Sequence, residues 1–203
     1  MRMKSENRRL KIVAVAAEVF QERGYEATSM SEITTRVGGS KATIYSYFAS
    51  KEELFLAVVK GWAEERMMQA FGSLQPSDDL TATLQSFGER FLRNVLSPDL
   101  IIVRSIVMGE GARSGIGKLF FESGPAEGWG RLAHFLAGVM EAGRLRQGKP
   151  WRAARHLINL LEADFLESFI TGATEPPSDE QIVESVEESV RVFMNGYSAA
   201  ASP

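Results

Sequence analysis

Residues 24–55 read GYEATSMSEITTRVGGSKATIYSYFASKEELF, and their spacing decides the fold. Ser29 opens S-M-S-E, with Glu32 at the third helical position, the pattern of a capping box. Met30, Ile33 and Val37 then recur at three- and four-residue steps, which predicts a short amphipathic helix. Gly38-Gly39 ends it, because a tight turn between helices needs a residue able to take the left-handed conformation. Ser40 caps a third helix in which Ile44 and Phe48 form an anchor pair one turn apart. Ser50 opens S-K-E-E, a second capping box closed by Glu53, and starts a long helix that runs to Phe71.

The same periodicity extends in both directions. Leu10, Val13, Ala17 and Phe20 predict a first helix that stops at Gly24. Beyond the polar linker SLQPSDD, Leu80, Leu84, Phe87, Phe91 and Val95 line a further helix. Ser97 and Pro98 are read as the cap and first helical residue of the next. Gly109 to Gly130 is glycine-rich and predicts short helices and turns, followed by a helix through His134 and Met140. Two more helices begin at Pro150 and Ser178. No alternating run of β-branched residues predicts a sheet, so the expected class is all-α. The expected organisation is a small module over 1–50 and a larger helical body over 51–203, with the helix from 51 to 71 connecting them.

Of 203 residues, 44% are hydrophobic and 24% charged, enough to bury a sizeable core. There is no cysteine, which excludes disulfides, thiolate metal sites and cysteine nucleophiles. The basic start lacks the apolar run of a signal peptide and no stretch has membrane-spanning length, so a cytoplasmic location is expected. Charge is uneven. Residues 1–51 hold nine Lys/Arg against five Asp/Glu, a surplus of four that leaves minus seven for the remainder of a chain of net charge −3. A basic end on an acidic body points to a polyanion as partner.

Two short helices joined by a two-glycine turn, behind a first helix, describe a helix-turn-helix, whose second helix enters the major groove of DNA. With Ile44 and Phe48 as anchors, the opposite face carries Lys41, Ala42, Thr43, Tyr45, Ser46 and Tyr47. Small side chains such as Ala42 and Thr43 approach base edges and thymine methyl groups. Tyrosine hydroxyls and lysine ammonium groups donate to phosphate oxygens. The amides at the starts of the second and fourth helices, reinforced by Thr28 and Lys51, add anion sites.

The stretch from Gly24 to Phe55, above all SKATIYSYFASKEEL, resembles the N-terminal DNA-binding domain of TetR-type transcriptional regulators. The C-terminal part resembles the AefR-type branch of that family. The resemblance implies an all-helical homodimer whose N-terminal helices bind operator DNA and whose larger C-terminal domain binds a small effector. It places Ser40, Lys41, Ala42, Thr43, Tyr45, Ser46, Tyr47 and Lys51 at DNA-contacting positions, with Thr28 at the head of the second helix. Two residues depart from the family pattern. Gly39 stands where valine is usual, giving up an apolar contact within the motif, and Thr34 stands where alanine is usual.

The last helix carries Ile182, Val183, Val186, Val190, Phe193, Met194 and Tyr197 on one stripe. The helix before it is apolar on two sides, with Ala163, Leu166 and Ile170 forming the second strip. A helix apolar on two sides needs two partners, so a two-fold four-helix interface is expected. Its expected residues are Ala163, Leu166, Ile170, Val186, Val190 and Phe193. An apolar effector pocket is expected among Phe87, Phe91, Met108, Phe121, Trp129 and Phe165, with Asp164 as a polar group that orients the ligand.

Rival classes fit less well. GARSGIGKL lacks both the P-loop spacing and the Ser/Thr that follows its lysine, and GGSKA joins two helices where a nucleophile elbow joins a strand to a helix. Neither His134 nor His156 has a second histidine at metal-ligand spacing. No catalytic residue, metal or cofactor is therefore expected. The expected function is a ligand-responsive transcriptional repressor that binds palindromic operator DNA as a homodimer and is released by a small-molecule effector, with an effector-independent DNA-binding protein on the same scaffold, or an enzyme, as the alternatives. Expected partners are double-stranded operator DNA, a small-molecule effector and a second copy of the chain.

Overall fold

The computed structural model describes residues 2–199, and side chains other than those of residues 1–4 and 62–66. Its helices are α1 (Arg2–Arg23), α2 (Met30–Val37), α3 (Lys41–Tyr45), α4 (Lys51–Gly72), α5 (Leu80–Val95), α6 (Pro98–Ser114), α7 (Ile116–Ser123), α8 (Pro125–Glu141), α9 (Pro150–Glu162), α10 (Leu166–Ile170) and α11 (Asp179–Tyr197). Among the described residues no β-sheet forms. A lone bridge joins Leu145 to Ser198. No helix is long and apolar enough to cross a membrane among the described residues.

Two compact units result: residues 1–63 with 102–124, and residues 64–101 with 125–203. The first unit takes in most of α6 and all of α7.

In the first unit, α1 buries Ile12, Ala16, Ala17, Val19 and Phe20. Ala17 and Phe20 of the expected stripe are buried, whereas Leu10 is exposed and Val13 half-buried. Apolar residues lie on several sides of α1, so spacing alone did not identify the side that meets α2. Met30, Ile33 and Val37 are buried as expected, and Thr34 joins them by donating its hydroxyl to the Met30 carbonyl at 2.6 Å. Phe20, Tyr25 and Phe55 pack ring against ring with centroids 5.2–5.7 Å apart.

The second unit is built on α5, α9 and α11. Gly88 brings them together, since a Cβ there would lie 2.8 Å from both Leu161 and Val186. Ser185 and Ser189, small and buried on α11, donate to the Asp164 carboxylate at 2.7 Å and the Leu160 carbonyl at 2.9 Å. The helix from Pro150 breaks there into α9 and α10, with a turn over Ala163–Phe165, where one continuous helix was expected. Ser178 caps α11 in a complete capping box with Gln181. The boxes expected at Ser29 and Ser50 form only by half. Each serine accepts the amide three residues on, but Glu32 turns to Arg23 and Glu53 accepts from the Ala49 amide.

Candidate nucleic-acid interface

Ile44 and Phe48 are 0% and 1% exposed, and they fix the orientation of α3. Helical residues next to these anchors must turn outward, and Lys41, Ala42 and Tyr45 do. Tyr45 is 48% exposed, and Ser40 and Ser46 also face solvent. Thr43 and Tyr47 are half-buried. Ser40 caps α3 by accepting the Thr43 amide at 3.1 Å, and its hydroxyl meets the Thr43 hydroxyl at 2.9 Å. The Ser46 hydroxyl donates to the Thr43 carbonyl at 2.7 Å. The two tyrosines flanking Ser46 therefore share no core face, and their outward parts border one polar, short-chained surface.

The turn before α3 is held from α1. Gly38 has φ 73°, the left-handed region that favours glycine, and its carbonyl accepts from the Arg8 guanidinium. Gly39 is exposed and lies under the same guanidinium, which a Cβ would meet at 2.7 Å. A side chain at position 39 would therefore have to displace the Arg8 guanidinium. Arg9 stacks over the Phe48 ring, 5.2 Å from its centroid.

Two residues expected at DNA contacts, Thr28 and Lys51, bond to the α1–α2 turn. Thr28 is 2% exposed, and its hydroxyl donates to the Gly24 carbonyl at 2.7 Å, so that side chain stitches the α1–α2 turn from inside. Lys51 points to the same turn. Its ammonium donates to the carbonyls of Tyr25 at 2.8 Å, Thr28 at 3.0 Å and Glu26 at 3.4 Å, and sits 4.3 Å from the Tyr25 ring centroid. An ammonium has three protons to donate, so these carbonyls use its capacity. From α6, the Glu110 carboxylate accepts the Tyr25 amide at 3.2 Å and the Glu26 amide at 2.6 Å. Gly24 has φ 78° and its open side admits that carboxylate. No spacing rule signalled Glu110, since its partners are backbone amides far away in sequence.

Charge near the interface is also redistributed. Arg23 pairs with Glu32 at 2.7 Å, and Arg36 with Glu22 at 2.6 Å. The hydrogen bond from Arg36 holds the Glu22 carboxyl below the usual carboxylate range, and the same bond raises Arg36. These arginines lock α1 to α2. Arg2 and Lys4 lie outside the residues whose side chains are described. Burial, then the Glu52 carboxylate, pushes the Tyr25 phenol well above its ordinary pKa.

The other expected sites fare unevenly. Val186, Val190 and Phe193, expected at a dimer interface, are 0–1% exposed inside the second unit. They are consumed against α5 and α9, while Ala163 is exposed and Leu166 and Ile170 are half-buried. Phe87 and Phe91 are buried in a ring cluster with Phe71. Trp129 is half-buried with its ring 6.3 Å from that of Trp151, and Phe165 is half-buried. Met108 and Phe121 belong to the first unit and are 66% and 37% exposed. Asp164 is exposed, and its carboxylate accepts from the Ser185 hydroxyl. His156 is exposed, as expected, and its Nδ1 lies 2.7 Å from the Tyr197 hydroxyl. Among the described residues no cluster of three potential metal ligands occurs.

A helix-turn-helix with an outward polar face is shared by several families, and the full length of the chain decides between them. Residues 12–58 match the model of bacterial regulatory proteins of the tetR family, and residues 82–199 match the AefR-like transcriptional repressor C-terminal domain. The chain belongs to the TetR family. It is similar to the transcriptional activator FasR of Mycolicibacterium smegmatis, at 36% identity over 90 residues, 44% of this chain and 41% of that protein. QacR of Staphylococcus aureus is 43% identical over 49 residues, 24% of this chain and 26% of that one. These matches span less than half the length of either relative. Solved structures extend the likeness to the whole fold. A TetR-family regulator from Mesorhizobium loti superposes with a TM-score of 0.80 at 25% identity, covering 96% of this chain and 98% of that one. The flavonoid-responsive regulator FrrA gives 0.74 at 27% identity, covering 97% and 100%. TetR-family membership accounts for the all-helical architecture and the position of the α2–α3 pair.

Proposed function

We propose that the protein is a homodimeric transcriptional repressor that binds palindromic operator DNA and is released by a small-molecule effector. The observation that carries this reading is the division of α3: Ile44 and Phe48 are sealed inside while Lys41, Ala42, Tyr45 and Ser46 face outward. Lys41 and the tyrosine hydroxyls donate to phosphates, and Ala42 and Thr43 reach base edges. Ser40 and Ser46 complete the face. Repression is favoured by the AefR-like repressor match over residues 82–199.

A second copy supplies the other half-site, one helical turn of DNA away. Ala163, Leu166 and Ile170, with Val192 at 42% exposed, provide its apolar contacts on the second unit. Effector binding shifts the population toward a conformation that binds operator poorly, so effector and DNA weaken each other equally. The end of α6 is one route for that shift, because Glu110 grips the turn that leads into α2. The flavonoid response of FrrA makes aromatic compounds the first effectors to test. No catalytic step enters this function.

The test is a gel shift on DNA upstream of the protein's own gene, with light scattering on the same sample. A specific complex from a dimer is expected. Absence of a shift at micromolar dimer, or a monomer at that concentration, refutes the reading.

A further inference from the structure

Four of the six polar residues buried among the described residues have hydrogen-bond partners, and the Tyr25 hydroxyl in the first unit is also buried without one. Thr28, Thr34, Ser185 and Ser189 each donate a hydrogen bond. Asn94 and Ser97 do not. Asn94 is 3% exposed and Ser97 9%, and Asn94 Nδ2, Asn94 Oδ1 and Ser97 Oγ all lack a hydrogen-bond partner. Both residues sit at the corner between α5 and α6, where the Ser97 amide donates to the Asn94 carbonyl at 3.0 Å. Ser97 was expected to cap α6, but its hydroxyl makes no such bond. Two neighbouring side chains thus carry a desolvation cost that an apolar pair of the same shape would not.

Their surroundings indicate what would satisfy them. Positions 87, 91 and 94 share one face of α5, so Asn94 continues the row of Phe87 and Phe91. Those rings pack with Phe71 at centroid distances of 5.2, 5.6 and 6.3 Å. An aromatic surface therefore leads to an amide and a hydroxyl, each able both to donate and to accept. No charged residue is fully buried among the described residues, which disfavours an ionised ligand group in a sealed corner.

We propose that Asn94 and Ser97 receive the polar end of the effector, and that this effector is an uncharged, largely aromatic small molecule bearing a hydroxyl or amide group. The inference rests on the effector-responsive reading above and adds the ligand class and its anchor. A hydroxyl or amide matches the pair because it also donates and accepts. Asn94 and Ser97 are sealed in the unliganded chain, so the ligand enters by displacing a ring of the phenylalanine cluster.

Calorimetric titration of the full-length protein tests this with four probes of one shape: 4-phenylphenol, biphenyl-4-carboxamide, biphenyl and biphenyl-4-carboxylate. The phenol and the carboxamide are expected to bind, with biphenyl and the carboxylate weaker by about tenfold or more. Asn94→Leu and Ser97→Ala are expected to weaken the phenol by about tenfold each while melting no lower than the parent. Should Asn94→Leu fail to fold, Ser97→Ala decides alone. The proposal is overturned by any of four results: no probe binding at millimolar concentration, a carboxylate that binds as tightly as the phenol, undiminished binding in the folded variants, or a lower melting temperature in Ser97→Ala. That last result would mean the buried atoms serve the fold through trapped water. The operator gel shift of the parent protein without probe is read separately. Its loss sinks the regulator reading, whereas a retained shift with failed probes sinks only this inference.

Discussion

Lys51→Met separates two roles that the sequence alone could not distinguish. If the ammonium sits on a DNA phosphate, its removal weakens operator binding and leaves the fold alone. The structure assigns it to the α1–α2 turn, with carbonyl acceptors at 2.8, 3.0 and 3.4 Å and the Tyr25 ring at 4.3 Å. Methionine keeps the stem and removes the donors. The two shorter bonds go to part-buried groups and count for about 1 kcal/mol each, the longer exposed one for little. The ring contact adds about 0.5 kcal/mol, for a total near ~2.5 kcal/mol. For a chain of this size that lowers the melting temperature by about 5–10 °C. The assay pairs thermal unfolding followed by circular dichroism with operator titrations at several salt concentrations. A lower melting point with an unchanged salt slope is expected. An unchanged melting point with a slope reduced by about one per subunit would place the ammonium on phosphate and refute the reasoning.

Three further predictions concern different parts of the molecule. Tyr25 is buried with its pKa raised, so the folded state resists ionisation while the unfolded chain does not. The stability this confers is complete below the unfolded value of about 10 and is lost as pH rises above it; Tyr25→Phe should flatten that alkaline slope in pH-dependent melting. Gly88→Ala puts a methyl group 2.8 Å from Leu161 and Val186, and overpacking should cost about 1–3 kcal/mol in urea unfolding, against a near-neutral change if the α5–α9–α11 packing is loose. Ile170→Glu should convert the dimer to monomer in light scattering without lowering helicity; a dimer that persists would move the interface elsewhere.

The α2–α3 pair was legible because its signals are local. Serine caps, a positive-φ glycine and an i, i+4 anchor pair each act within a turn of the residue that bears them. Ile44, Phe48 and the outward face of α3 follow from those signals directly. Partnerships over long sequence distances were not legible. Lys41 and Lys51 look alike in a charge count, yet one is exposed and the other is enclosed by three carbonyls. Arg23 and Arg36 enlarge the basic surplus while being paired with Glu32 and Glu22. On α11, periodicity found the stripe containing Val186, Val190 and Phe193 but could not say whether α5 and α9 or a second subunit covers it. Asn94 and Ser97 gave no signal, since polar residues at a helix end are ordinarily solvated or capping. The break after Glu162 escaped because the residues over it suit a continuous helix, and the serines facing it come from α11.

The most direct measurement is the operator affinity of the Lys41→Ala, Tyr45→Ala double variant by fluorescence anisotropy. Both side chains are exposed, and neither forms an ion pair or ring contact among the described residues. Affinity about tenfold or more below the parent, with an unchanged melting temperature, is expected if the outer face of α3 meets DNA. Parental affinity in a folded double variant would contradict it.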